Sequence, residues 1–360
     1  MSARYAWMPA LALIAAALAA GCGSNSPSPT PVVTVTVPAS SGGGSGSASG
    51  GGAGASSPAQ SSGAEPGIVG VTTAGALVRI DSSNGSITQT LVPNGVAGDE
   101  VSVSPDGSTV YFTEEAGCHA EVESVSSSGS NLTAIAPGQF PAVSPDGTKL
   151  AFTSEPVMND ACVPDPSKPG VAAEFKLIIR TLSGGAEQSL GLPAQVRHGG
   201  LLPPISHLSW SADAAMLAVS TSAVADNEGW GVNLVSPSTA QYYADSTTGV
   251  TAVPVTGSPD AQRSYIREGV YLPDGNLFIS RACCGGVPIH NTSRLMWEVS
   301  PAGGLVHQVA IGFPDLDHVS LSADSSGHWL LYLADHDLYV SQDGNRPSKL
   351  TTGLIAAAWG

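Results

Sequence analysis

Val101–Thr113 reads VSVSPDGSTVYFT, and Ala142–Ser154 reads AVSPDGTKLAFTS. In both, a short apolar run meets Ser-Pro-Asp-Gly and a second β-rich run follows. Asp-Gly supplies the positive-φ position of a turn between antiparallel strands, so the phrase reads as strand, turn, strand. Aligned on its first serine, the phrase returns in weaker form as SADA from Ser211, LPDG from Leu272 and SADS from Ser322. The runs that follow the five turns are TVYFT, KLAFT, MLAVS, NLFIS and HWLLYL.

Further strands complete each unit. Phe175–Arg180 (FKLIIR) and His336–Val340 (HDLYV) read as third strands, and Ser348–Thr351 (SKLT) as a fourth. Units of four short strands, repeated every 40 to 67 residues, are the mark of a β-propeller. The ends of the repeat region fix the count. Gly67–Val92 holds strands two to four of a unit, and Leu354–Gly360 (LIAAAWG) is a first strand with Trp359 matching Trp210. The expectation is an all-β, six-bladed propeller over residues 67–360, with four-stranded antiparallel blades. The C-terminal strand completes the first blade and closes the ring. First strands are expected near Ile355, Val101, Pro141, Leu208, Gly269 and Val319.

Ser104–Gly107 with Tyr111–Thr113, and Ser144–Gly147 with Ala151–Thr153, resemble the repeat of TolB-like propellers, which are related to WD-type repeats. The resemblance implies the six-bladed fold and a part in protein interactions of the cell envelope. The amino-terminal α/β domain usual in that family has no counterpart here. A propeller fold by itself names no activity.

The first residues read as an export signal. Leu11–Ala20 is an apolar run too short to span a bilayer, and Leu18–Cys22 (LAAGC) resembles a bacterial lipobox. That resemblance implies a signal peptide over 1–21 and a lipid on Cys22, although Ala19 stands where leucine is usual. Residues 22–66 are nearly all Ser, Gly, Pro, Thr, Ala and Val, a composition that cannot bury enough apolar surface to order itself. They read as a disordered tether, and the chain as exported and lipid-anchored at the outer face of the cell membrane or in the envelope. The lipid is the expected contact with the membrane.

Composition narrows the partners. The net charge is −16, with 12% charged residues. An acidic chain repels phosphate backbones, which excludes nucleic acid as a partner. The expected state is a monomer.

Strand order places the candidate sites. The loops between second and third strands share a face with the connections between blades. Long insertions crowd that face at Glu155–Ala173, Leu192–Ser206, Ala223–Gly229 and Arg281–Thr292. Four residues before each anchor stand Ala356, Glu100, Phe140, His207, Glu268 and His318. Glu100, His207, Glu268 and His318 would then ring one mouth of the channel. Imidazole and carboxylate together suit a divalent metal or a polar ligand, and Asp317 would orient His318. Two residues before each anchor stand Ser102, Ala142, Ser209, Val270, Ser320 and Ala358, mostly small, as crowding at the axis requires. Cys118 and Cys162 fall in equivalent loops of neighbouring blades and suit a disulfide in an exported protein. Cys283 and Cys284 are adjacent, able to bridge each other or pair elsewhere.

The chain shows no GxSxG elbow, HExxH helix or phosphate loop. The expectation is therefore a non-enzymatic module without a cofactor that binds a protein, peptide or glycan in the envelope, on the loop face over blades 3 to 5. The alternative is a metal-dependent lyase or hydrolase acting on polysaccharide through the His/Glu mouth.

Overall fold

The computed structural model describes residues 67–360, except 118, 155–175, 192–204, 222–230, 239–249, 253–263, 284–294, 311–318 and 343–345. The described residues form 24 strands in six four-stranded antiparallel sheets, with no helix among them. Blade 1 is β24 (Leu354–Trp359), β1 (Ile68–Thr72), β2 (Leu77–Ile80) and β3 (Ile87–Val92). Blade 2 is β4 (Val96–Val103), β5 (Thr109–Ala116), β6 (His119–Ser126) and β7 (Thr133–Pro137). Blade 3 is β8 (Gln139–Val143), β9 (Lys149–Thr153), β10 (Lys176–Thr181) and β11 (Glu187–Gly191). Blade 4 is β12 (Ile205–Trp210), β13 (Leu217–Thr221), β14 (Gly231–Val235) and β15 (Val250–Ala252). Blade 5 is β16 (Ser264–Tyr271), β17 (Leu277–Cys283), β18 (Leu295–Val299) and β19 (Leu305–Ala310). Blade 6 is β20 (Val319–Ala323), β21 (Trp329–Ala334), β22 (Asp337–Gln342) and β23 (Ser348–Thr352).

Each innermost strand touches the innermost strand of the next blade, and β20 of blade 6 touches β24, so the ring is closed. The closing strand is the C-terminal one. β24 lies antiparallel to β1, with Ile68 opposite Trp359 and Val71 opposite Ala356. All six expected first strands occur where the repeat placed them.

The core is divided among the seams. Phe112 and Val101 of blade 2 pack with Val69 and Ala356 of blade 1. Trp210 and Leu217 of blade 4 pack with Leu177 and Ala151 of blade 3. Four more such clusters fill the remaining seams. Every blade is therefore covered on both faces. This is why LFI and LLYL run apolar without alternation: successive side chains enter the two seams that flank the blade.

The repeated phrase is a turn with built-in hydrogen bonds. Gly107 N–H donates to the Ser104 carbonyl at 2.7 Å, and Ser104 N–H to Thr109 O at 2.8 Å. The Ser104 hydroxyl donates to Asp106 Oδ1 at 2.6 Å, and the same oxygen accepts the Ser108 N–H. Gly107 has φ 70°, which glycine adopts without steric cost. Ser144–Lys149 repeats this pattern, and in blade 4 Ala214 takes the glycine position at φ 53°.

Blade 6 departs from the expected alignment. There Gly327 N–H donates to Asp324 O, and Asp324 N–H to Trp329 O. Asp324 is thus the equivalent of Ser104, two residues beyond Ser322. Serine and aspartate have exchanged places, with the Ser326 hydroxyl donating to Asp324 Oδ2 at 2.5 Å.

Of the expected insertions, Arg281–Cys283 belongs to β17 and Ile205–Ser206 to β12. The rest of those four segments lies outside the described residues.

Candidate functional site

The six innermost strands each present one edge to the axis. Five of them carry an irregularity near the level four residues before the turn, β24 among them between Leu354 and Ala356. The register slips between Val96 and Val101 in β4, Gln139 and Ala142 in β8, Ile205 and His207 in β12, and Ile266 and Glu268 in β16. A bulge bends its strand and re-aims a side chain. Here it turns Glu100, His207 and Glu268 toward one another. Phe140, at the same level of blade 3, has φ 57°.

These three side chains meet across the axis. His207 Nδ1 lies 3.2 Å from Glu100 Oε1 and 3.4 Å from Glu268 Oε1. The carboxylates also hold backbone. Glu100 Oε2 accepts the Leu208 N–H at 3.3 Å, and Glu268 Oε1 accepts the Leu321 N–H at 2.7 Å. One network therefore joins blades 2, 4, 5 and 6. Burial pushes the His207 imidazole down to about 4, while the flanking carboxylates pull toward the charged ring. Nδ1 is the ring nitrogen that faces both acids.

Above this floor the walls are stitched by hydroxyls. Ser102 Oγ accepts the Val143 N–H at 3.0 Å, and Ser209 Oγ accepts the Tyr271 N–H at 2.9 Å. Each serine thus satisfies an edge donor of the following blade. The Trp210 indole N–H donates to Ala142 O at 2.9 Å, bonding blade 4 back to blade 3, and Lys149 Nζ sits 5.7 Å from that ring.

A cavity of about 420 Å³ runs along the axis from Glu100 and His207 toward the turns. Its walls include Val101, Val103, Leu208, Trp210, Leu321 and Trp359. Pro105, Pro145, Ala212, Pro273 and Ser325 form an exposed rim at the turn face. Among the described residues no lysine, arginine or cysteine lines it. Beside this rim the Ser104 hydroxyl, then the Ser108 amide, hold Asp106 at about 2. The cavity is thus acidic at both levels, with apolar and hydroxyl walls between, and it disfavours anions.

The predicted residues divide. Glu100, His207 and Glu268 are brought together as the common level of their strands requires. His318 and Asp317 lie outside the described residues, and the two-residue slip in blade 6 puts Ser320 at the level given to His318. Among the described residues no three His, Cys, Asp or Glu side chains are placed to hold a metal ion. Cys22, Cys118, Cys162 and Cys284 lie outside the described residues, and Cys283 ends β17 opposite Ser264. Sequence reasoning took Ser102 and Ser209 for small packing residues and missed their bonds. It also gave no role to the hydroxyl that closes the repeated phrase. Thr153 donates to Gln139 O and Ser220 accepts the Gly269 N–H, so these buried hydroxyls serve backbone groups beside the bulges. The signal was present in the final Thr of KLAFT and the final Ser of MLAVS.

The described residues form a six-bladed propeller. The structure is similar to TolB from Acinetobacter baumannii, with a TM-score of 0.54 and 13% identity over 81% of this chain. The match spans 65% of that TolB chain, and at this identity it shows the fold alone. Weaker likenesses are to the tricorn protease (TM-score 0.47, 11% identity, 80% of this chain and 29% of that one) and to a functionally unknown protein from Desulfotomaculum acetoxidans (TM-score 0.48, 10% identity, 81% and 96%). No protein-family model and no curated protein sequence matches the chain.

Proposed function

We propose that the chain is a non-enzymatic binding or scaffold module whose axial cavity receives part of a partner through the turn face. The observation that supports this is the cavity itself: open at an exposed rim, walled by apolar and hydroxyl groups, and ended by an ordered floor. Its volume suits a few residues of a peptide or a terminal sugar. The lining favours neutral or cationic groups over anions. The leader at 1–21 and Cys22 support an exported, lipid-anchored module whose partner is an envelope protein, peptide or glycan.

The test is to fill the cavity. Ser322→Trp should abolish capture of the partner that the wild-type chain retains from an envelope fraction. Val306→Glu, on the exposed outer strand β19, should leave capture unchanged. Capture that survives Ser322→Trp and fails in Val306→Glu would overturn this reading. For the anchor, Cys22→Ser should release the chain from membranes and block incorporation of labelled fatty acid.

A second reading, a metal-dependent polysaccharide lyase or hydrolase, draws on the convergence of Glu100, His207 and Glu268. Against it, these groups already bond one another and the backbone of two blades. One equivalent of divalent metal, lost in His207→Ala, would favour this reading over the first.

A further inference from the structure

Blade 2 carries a second set of acids, away from the axial floor. Glu123 on β6 lies opposite Phe112 of β5, and Glu114 opposite Glu121. Phe112 and Val125 belong to the core shared with blade 1, so Glu123, which alternates in step with Val125, faces the same seam. It is only 7% exposed. Glu114 and Glu121 share that face as its neighbours, Glu114 diagonally across from Glu123, within reach for the carboxyls to bond and for their charges to act on one another.

The pair lies directly behind the seam. Any side-chain carbon on Gly95 would stand 3.2 Å from Glu114 Oε1. The Glu115 N–H donates to Gly95 O at 3.0 Å, and the adjacent Val96 N–H donates to Gly75 O of the β1–β2 turn at 3.1 Å. Blade 1, the Gly95 corner and the acid pair are therefore stacked in contact. Among the described residues the base that crosses this seam is Arg79 of β2, and it is engaged at the turn end, on Ser127 O and Gly107 O. The stretch from Ile87 to Gly98 and strand β7 carry no titratable side chain. Glu115 and His119 are exposed, and Glu100 of β4 is engaged at the axial floor.

Two carboxyl groups in contact, one of them buried, cannot both ionise without repulsion. We propose that Glu114 and Glu123 form a proton-controlled latch on the face of blade 2 that lines the seam with blade 1: with one shared proton they bond β5 to β6, and without it they repel and loosen that face. Burial first, then the Glu114 charge, pushes Glu123 up to about 7, which places the release near neutral pH. The sign follows from linkage. A carboxyl whose folded pKa lies above its unfolded value stabilises fully below the unfolded value. That contribution is lost as pH rises toward 7.

The test compares chemical unfolding of the full chain and its Glu123→Gln variant from pH 5 to pH 8. The amide keeps the shape and the donated hydrogen bond but cannot ionise. The ratio of variant to wild-type folding constants should rise at least tenfold from pH 5 to pH 8, and level off above about pH 7. Comparing the two chains cancels other titrations, His207 included. Glu114→Gln, by removing the like charge, should reduce the wild-type pH dependence severalfold, and it carries the test if Glu123→Gln fails to fold. Hydrogen exchange over residues 94–126, corrected for intrinsic rate, should quicken from pH 5 to pH 8 in wild type and not in Glu123→Gln. A folding-constant ratio that does not change with pH, or exchange that quickens equally in both chains, would overturn the latch.

Discussion

His207 holds two carboxylates with one ring nitrogen, and each carboxylate holds a backbone N–H of another blade. Truncating His207 strips both acids of a buried donor. His207→Ala should therefore lower stability by about 2–4 kcal/mol in urea unfolding. Ser102→Ala removes one acceptor from the Val143 N–H and should cost about 1 kcal/mol. The level shared by Glu100, His207 and Glu268 was legible from their equal distance to the turns. Their function as a cross-axis tie was not, because the bulges that aim them depend on pairing with the second strand. The fourth member of the set, His318, lies outside the described residues. Letter matching put the anchor of blade 6 at Ser322, but the turn starts at Asp324, whose carboxylate accepts the Trp329 N–H as the Ser104 hydroxyl accepts the Thr109 N–H.

At the scale of the element, turns and seams set the demands on glycine. Gly107 has φ 70° with open space around it, so Gly107→Ala should cost about 1 kcal/mol, the left-handed conformation alone. Gly85 has φ 74° and lies against the Leu350 carbonyl of blade 6. Gly85→Ala adds a collision with backbone, and its cost should be several times larger. Thermal unfolding of the two variants side by side checks the difference. The turn phrase itself was readable because its hydrogen bonds are local, within six residues. The seam contact of Gly85 was not, since it joins segments more than 250 residues apart.

At the scale of the molecule, closure rests on β24. It supplies the axial edge of blade 1 and buries Leu354, Ala356 and Trp359. Removing residues 354–360 should leave the inner edge of β1 unpaired and two seams open. The expected outcome is loss of the cooperative thermal transition, read by near-ultraviolet circular dichroism. The ring was legible from two features, a unit without its first strand at the start of the repeats and a first strand alone at their end. The cavity was not, because it arises only where six edges converge. Long insertions drew attention to the opposite face, while the described opening lies at the turns. The central claim is that this opening receives the partner. The most direct measurement is site-specific photocrosslinking from Leu272, inside the rim, against Ile87 on the exposed outer strand of blade 1. The account predicts a discrete adduct from Leu272 and none from Ile87. An adduct from Ile87 alone, or equal adducts from both, would contradict it.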